Sequence, residues 1–222
     1  ENHQEGMNQL SAKIMEPVMP KDLPEKNFTD CFDPDEPYLE HALFKDTAID
    51  LGDRRGVEFT EVRFQNVTFS EATLTQMYLR DVIFESCDFA NVQLDEVTMK
   101  RVRFVNCRLI GTSMTEGVFE DVFFRECNLQ MTALGFSKQK NVRYENCRLN
   151  EADFYTCKLK KVDFSECELS GINFTGTPLK AIDISSCRFE RISVTLEDLK
   201  GAIVSEEQAL AFVVMLGLVI KE

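Results

Sequence analysis

Six of the chain's eight cysteines stand 20 residues apart, at Cys87, Cys107, Cys127, Cys147, Cys167 and Cys187. Thiols in that number could ligate a metal, close disulfides or act as nucleophiles, and each chemistry needs something more. A zinc site needs ligands converging from different directions, and a thiol nucleophile needs a base beside it. The only histidines are His3 and His41, and neither lies in a motif. The sequence has no GxGxxG and no GxxxxGK[ST] phosphate loop. Carboxylates are plentiful, but general acid–base work needs a pocket that holds a pair of them. The expectation is therefore no catalytic residue, no metal, no cofactor and no enzyme. The evenly spaced thiols read instead as small buried hydrophobes, which fits a reducing, cytoplasmic compartment.

The remaining residues able to do chemistry are charged, and the same interval sorts them. Arg80, Lys100, Lys140, Lys160, Lys180 and Lys200 fall in one column, interrupted by Glu120, with Lys138, Lys158 and Lys161 beside it. Asp95, Glu96 and Glu116 gather on another edge, with Glu71 and Glu151 on a neighbouring wall. The stretch Gly135–Lys140 reads as a disturbed turn that exposes Phe136. Asp95, Glu96, Glu116, Phe136, Lys138, Lys140 and Lys160 are thus the candidate partner contacts. The net charge is −13, but residues 1–50 hold 12 acids against 4 bases, so the rest of the chain is only mildly acidic at −5.

The elements that must position these columns follow from a period of five. From Leu39 to Val204, 32 of 34 positions in one unbroken phase are apolar, and only Arg54 and Gln139 depart. Helices repeat at 3.6 and half-buried strands at 2. A strict five needs a backbone that turns a corner once per repeat. Two residues before each large side chain stands a small or β-branched one, as at Val62, Val82, Val102, Val122, Val142, Val162 and Ile182. Valine and cysteine columns independently give 20 residues, or four fives, per coil. About eight coils, stacked at the strand spacing of about 4.8 Å, make a rod about 40 Å long.

Segments such as Cys87-Asp88-Phe89, Ala152-Asp153-Phe154 and Val162-Asp163-Phe164 carry the order small, Asp/Asn, Leu/Phe. In this the chain resembles the pentapeptide-repeat family over residues 39–204. The resemblance implies an all-β solenoid, a right-handed quadrilateral parallel β-helix of pentapeptide repeats with a short C-terminal helix. Val102-Arg103-Phe104 and Cys107-Arg108-Leu109 lack the Asp/Asn, so mixed turn chemistry is expected. Coils of this kind contact only their neighbours and need covers at both ends.

Residues 205–222 read as one cover: Ser205 and Gln208 form a capping box, a nearly all-apolar helix follows, Gly217 ends it, and Leu218-Val219-Ile220 reads as a strand. So apolar a helix needs burial on more than one side, which a twofold homodimer supplies through Leu210, Phe212, Val213, Met215 and Leu216. This tail resembles that of the Qnr and MfpA types within the family. That resemblance implies binding to DNA gyrase and topoisomerase IV as a mimic of duplex DNA, with lowered quinolone susceptibility and no sequence-specific contact to nucleic acid. The alternative is a scaffold for another protein.

Residues 1–38 read as an irregular capping segment broken by five prolines. Leu10 and Ile14 could share the face of a short helix, and Phe28, Phe32 and Tyr38 could plug the first coil. Gly52–Gly56 is expected to be a local turn. No apolar stretch reaches the length of a membrane span, and no charged-then-apolar leader is read.

Overall fold

The period of five is a period of corners. Between His41 and Ala181 the backbone takes the left-handed conformation at 23 non-glycine residues, with φ from 48° to 62°, and each lies two positions after a residue of the inward register. An L-residue accepts this at a cost of roughly 1–2 kcal/mol, which burial on the inner side and pairing between coils must offset. The structure is a computed structural model and describes residues 14–215. Four corners close each 20-residue coil, and the result is a parallel quadrilateral β-solenoid.

In chain order the elements are α1 (Phe28–Cys31), β1 (Tyr38–Ile49), β2 (Arg54–Arg55), β3 (Glu58–Phe69), β4 (Leu74–Thr75), β5 (Tyr78–Glu85), β6 (Thr98–Val105), β7 (Val118–Arg125), β8 (Lys138–Glu145), β9 (Lys158–Ser165) and α2 (Glu206–Met215). β1, β3 and β5 to β9 form a seven-stranded parallel sheet in that order. The register is 20 throughout, as in Val82↔Val102 and Phe104↔Phe124. Isolated bridges carry the same register along the other sides, for example Asp88↔Arg108 and Gln93↔Ser113, and end at Asp183↔Ile203.

The core is a set of ladders. Phe44, Phe64, Phe84, Phe104, Phe124, Tyr144 and Phe164 stack face to face, with ring centroids 4.8–5.4 Å apart. The valine and cysteine columns are buried beside them. Each of the six column thiols donates to a carbonyl 23 residues earlier, at 3.3–3.6 Å. At Asp88, Asn128, Asp153, Asn173 and Asp183, each preceding a central residue, the side chain accepts from the backbone N–H two residues on, while Asp163 accepts from Arg143. Arg103 holds the equivalent place in the regular strand β6, whereas Arg108 and Arg148 share one column with Asp88 and Asn128. The mixed turn chemistry therefore runs along a single side of the coil as well as between sides.

Several local expectations change. Gln139 does not disturb its turn: β8 keeps full register with β7, and Gln139 is buried. Arg54 and Arg55 pair as a strand with Leu74 and Thr75, so Gly52–Gly56 is more than a turn. At the lower end Phe28 packs edge-on against Phe44 at 5.4 Å and stacks on Phe32 at 4.9 Å. Tyr38 is no plug: it is 43% exposed, and its hydroxyl donates to Glu40. The third cover is Arg54, which donates to Leu51 O and Pro34 O and lies over the Phe32 ring. Ile14 lies in extended chain, not in a helix; Leu10, Gly217 and Leu218-Val219-Ile220 fall outside the described residues.

Candidate interaction surfaces

Pro17, Pro20 and Pro24 keep residues 14–25 out of a helix, and this segment runs across the strands as a strap. The N–H of Met15 donates to Asp121 and that of Val18 to Asp81. The spacing explains the fit: three extended residues span roughly 10 Å, and two coils rise by about the same. Glu16 pairs with Arg103 at 2.8 Å, and the Arg103 guanidinium lies 5.2 Å over the ring of Phe123. Backbone bonds between Lys26 and Leu43 and between Leu43 and Pro24 tie down the far end. One side of the solenoid is thus already covered by its own chain, a cover that sequence reasoning missed. Its signal was present: Asp81 and Asp121 stand in one corner column, and prolines recur at 17, 20 and 24.

The acidic candidates divide. Asp95 is half-buried and accepts from the Thr115 N–H, the Thr115 hydroxyl and Ser113, so its carboxylate braces the wall above it. Glu96 and Glu116 are exposed at one left-handed corner, one coil apart. Gln76 donates to Glu96 at 2.7 Å. Phe136 continues the same corner column, 53% exposed, with its ring edge-to-face on Tyr155 at 5.4 Å.

Lys138, Lys140 and Lys160 stand together on the adjoining side. Lys140 pairs with Glu120 at 2.5 Å, and Lys100 approaches the same carboxylate at 4.0 Å. The Lys140 hydrogen bond holds the Glu120 carboxyl below its ordinary range. Among the described residues, Lys138, Lys158 and Lys160 have no carboxylate within ion-pair distance. Lys138 lies directly opposite Lys158 in register, and Lys140 opposite Lys160.

Inside the coil, Gln139 and Tyr144 form a polar pair that the periodicity marked only as an exception. The Tyr144 hydroxyl donates to Gln139 Oε1, Gln139 Nε2 donates to Ser137 Oγ, and Ser137 meets the Cys157 thiol at 3.3 Å. Burial pushes the Tyr144 hydroxyl and the Cys157 thiol up from their ordinary values, and both stay neutral. This is packing, with no open space for a substrate. An open groove of about 680 Å³ below α2 is lined by Glu168, Arg188, Glu190, Ser205 and Gln208, with no histidine among its residues.

The family model for the pentapeptide repeat region matches residues 57–134 and 137–209. The chain belongs to the pentapeptide-repeat family. No curated protein matches it. Among solved structures, this pentapeptide-repeat protein is similar to full-length QnrB1, a plasmid-mediated fluoroquinolone resistance protein, at 18% identity, covering 80% of this chain and 100% of that one with a TM-score of 0.40. It is also similar to HetL of the cyanobacterium Nostoc sp., involved in heterocyst differentiation regulation, at 16% identity, covering 76% and 85% with a TM-score of 0.33. These likenesses concern the fold alone.

The upper end of this pentapeptide-repeat protein carries the last candidate surface. Ser205 and Gln208 make the capping box, Gln208 N–H to Ser205 Oγ at 3.2 Å and Ser205 N–H to Gln208 Oε1 at 3.0 Å. The Gln208 side-chain amide also donates to Ile184 O and Cys187 O, which docks α2 on the last coil. Phe212 packs on Phe189 at 5.6 Å and Val213 is half-buried, while Leu210 and Val214 remain 54% and 60% exposed. The Met215 side chain and Leu216 lie outside what is described. No helix among the described residues is long and apolar enough to cross a membrane.

Proposed function

We propose that the protein is a non-enzymatic, cytoplasmic interaction rod that engages DNA gyrase or topoisomerase IV as a mimic of duplex DNA and so lowers quinolone susceptibility. The observation that carries the reading is the corner column of Glu96 and Glu116, two exposed carboxylates one coil apart on a regular wall. Duplex DNA is a cylinder of evenly spaced charge, and a solenoid offers such spacing without a groove or a base. The exposed apolar side of α2 supports the second half of the proposal, an isologous dimer that doubles the rod. The resemblance of the tail to the Qnr and MfpA types directs the choice of partner.

A second reading, a scaffold for a different protein, is favoured by the lysine columns, which a DNA mimic does not need. A gyrase supercoiling assay with added protein separates the two. The topoisomerase reading expects inhibition that Glu96→Lys with Glu116→Lys abolishes. The scaffold reading takes its place if the wild type has no effect at molar excess.

A further inference from the structure

At several places neighbouring coils match charge with countercharge. Arg63 pairs with Glu85, Arg101 with Asp81, Arg108 with Asp88 and Arg143 with Asp163. The N-terminal halves of β8 and β9 break that pattern, with Lys138 opposite Lys158 and Lys140 opposite Lys160, as Arg80 opposite Lys100 does earlier in the chain. Like charges directly opposite on adjacent strands destabilise a sheet, and while Glu120 offsets Lys140, fold stability does not account for Lys138, Lys158 and Lys160. A second anomaly borders the first. Phe136 holds a left-handed corner at φ 60°, a conformation unusual for a bulky residue, and it turns a largely exposed ring outward beside the exposed Tyr155. Neither core packing nor the corner itself needs an aromatic ring there, since Thr156 takes the corresponding corner one coil on.

We propose that the lysine face of β8 and β9, together with its Phe136–Tyr155 edge, is a sequence-independent binding surface for single-stranded nucleic acid. The four lysines spring from a backbone grid of about 4.8 Å between strands and about 6.7 Å along each strand. That grid offers point charges to successive phosphates without selecting a sequence. An unpaired base at the edge stacks on Phe136, as single-strand binders combine a cationic track with aromatic platforms. An acidic polypeptide would use the lysines and leave the ring idle. A duplex would keep its bases from the ring. The aromatic pair is what selects among the three.

The test is fluorescence anisotropy of a labelled oligothymidylate of about 15 nucleotides with the full chain, from about 50 to 200 mM salt. Binding is expected to weaken with salt at a log–log slope of about −2, the value for three phosphates neutralised by Lys138, Lys158 and Lys160 on a single strand. Lys158→Glu with Lys160→Glu should remove binding across that range. Phe136→Ala should weaken it about ten-fold and leave the slope unchanged, because stacking releases no counterions. Lys158→Gln, with one like charge removed, should melt no lower than the wild type and bind more weakly, which separates lost contact from lost fold. The proposal is overturned by no binding at the lowest salt. It is equally overturned if polyglutamate or a hairpin duplex competes as well as the oligothymidylate while Phe136→Ala is silent.

Discussion

Asp81 accepts two hydrogen bonds from Arg101, at 2.6 Å from both Nε and Nη2, and the two residues stack at one corner on successive coils. Asp81 is 3% exposed because the strap lies over it, and its carboxylate also receives the Val18 N–H at 2.8 Å. One side chain thus joins two coils and the N-terminal segment. Asp81→Ala should cost about 2–4 kcal/mol in urea unfolding, since it strands a partly buried guanidinium. It should also speed proteolysis within residues 14–20. Unchanged cleavage there would mean that the strap is held by other contacts.

The Gln139–Tyr144 pair is a closed polar unit in an apolar core. Tyr144→Phe should cost about 1–3 kcal/mol, because Gln139 Oε1 loses its donor. Gln139→Leu combined with Tyr144→Phe should recover much of that loss, since the only group that then loses a partner, Ser137 Oγ, keeps its contact with Cys157. Additive losses in a double-mutant cycle would contradict the pairing.

These two clusters mark how far the sequence could be read. The period of five, the valine and cysteine columns and the capping box at Ser205 and Gln208 were legible because burial in a solenoid repeats with the coil. The left-handed corners were not, since Arg101, Lys161 and Phe136 are not residues that favour positive φ. The strap was not legible either: it depends on contacts more than 60 residues apart in the chain, which no periodicity records. Of the candidate contacts, Glu96 and Glu116 were singled out by their shared edge and Phe136 by the stretch Gly135–Lys140, and all three are exposed. Asp95 fell in the same cluster, but the hydroxyls that occupy it come from the next coil.

The thiol column predicts protection. Cys31 is half-exposed, and the other seven cysteines are buried, with burial pushing the Cys127 thiol up from its ordinary value. A thiol reagent should label Cys31 first and the rest only on unfolding. Cys127→Ala should cost about 1–2 kcal/mol through a small cavity, and Cys127→Asp should unfold its coils. Rapid labelling of all eight thiols in the native state is the contrary result.

Glu85 gives a pH prediction. Burial pushes its carboxyl up, but hydrogen bonds from Arg63 and Gln65 outweigh burial and leave it below its ordinary 4.5. The folded state therefore prefers the ionised form, so its stabilisation is present above pH 4.5 and is lost as pH falls through the lowered value. Arg63→Gln should cost about 0.5–1 kcal/mol at pH 7 for this part-exposed pair and less at a pH acid enough to protonate Glu85 in the folded protein. A cost that is equal at both pH values would show that the ion pair is not its source.

Leu210→Glu with Val214→Glu should convert a dimer to a monomer, because these are the side chains that α2 leaves uncovered. Phe212→Glu should instead lower stability, through its contact with Phe189. Sedimentation of the three proteins separates the effects. A wild type that sediments as a monomer at micromolar concentration contradicts the dimer.

The central claim, that this rod takes the place of duplex DNA on a type II topoisomerase, is tested most directly by competition. Labelled duplex DNA bound to gyrase is titrated with the protein, and the anisotropy of the DNA is followed. Displacement should be complete at molar excess, should weaken as salt screens charge over about 10 Å, and should fail for Glu96→Lys with Glu116→Lys. DNA that stays bound throughout the titration, or that is displaced equally well by the charge-reversed protein, contradicts the account.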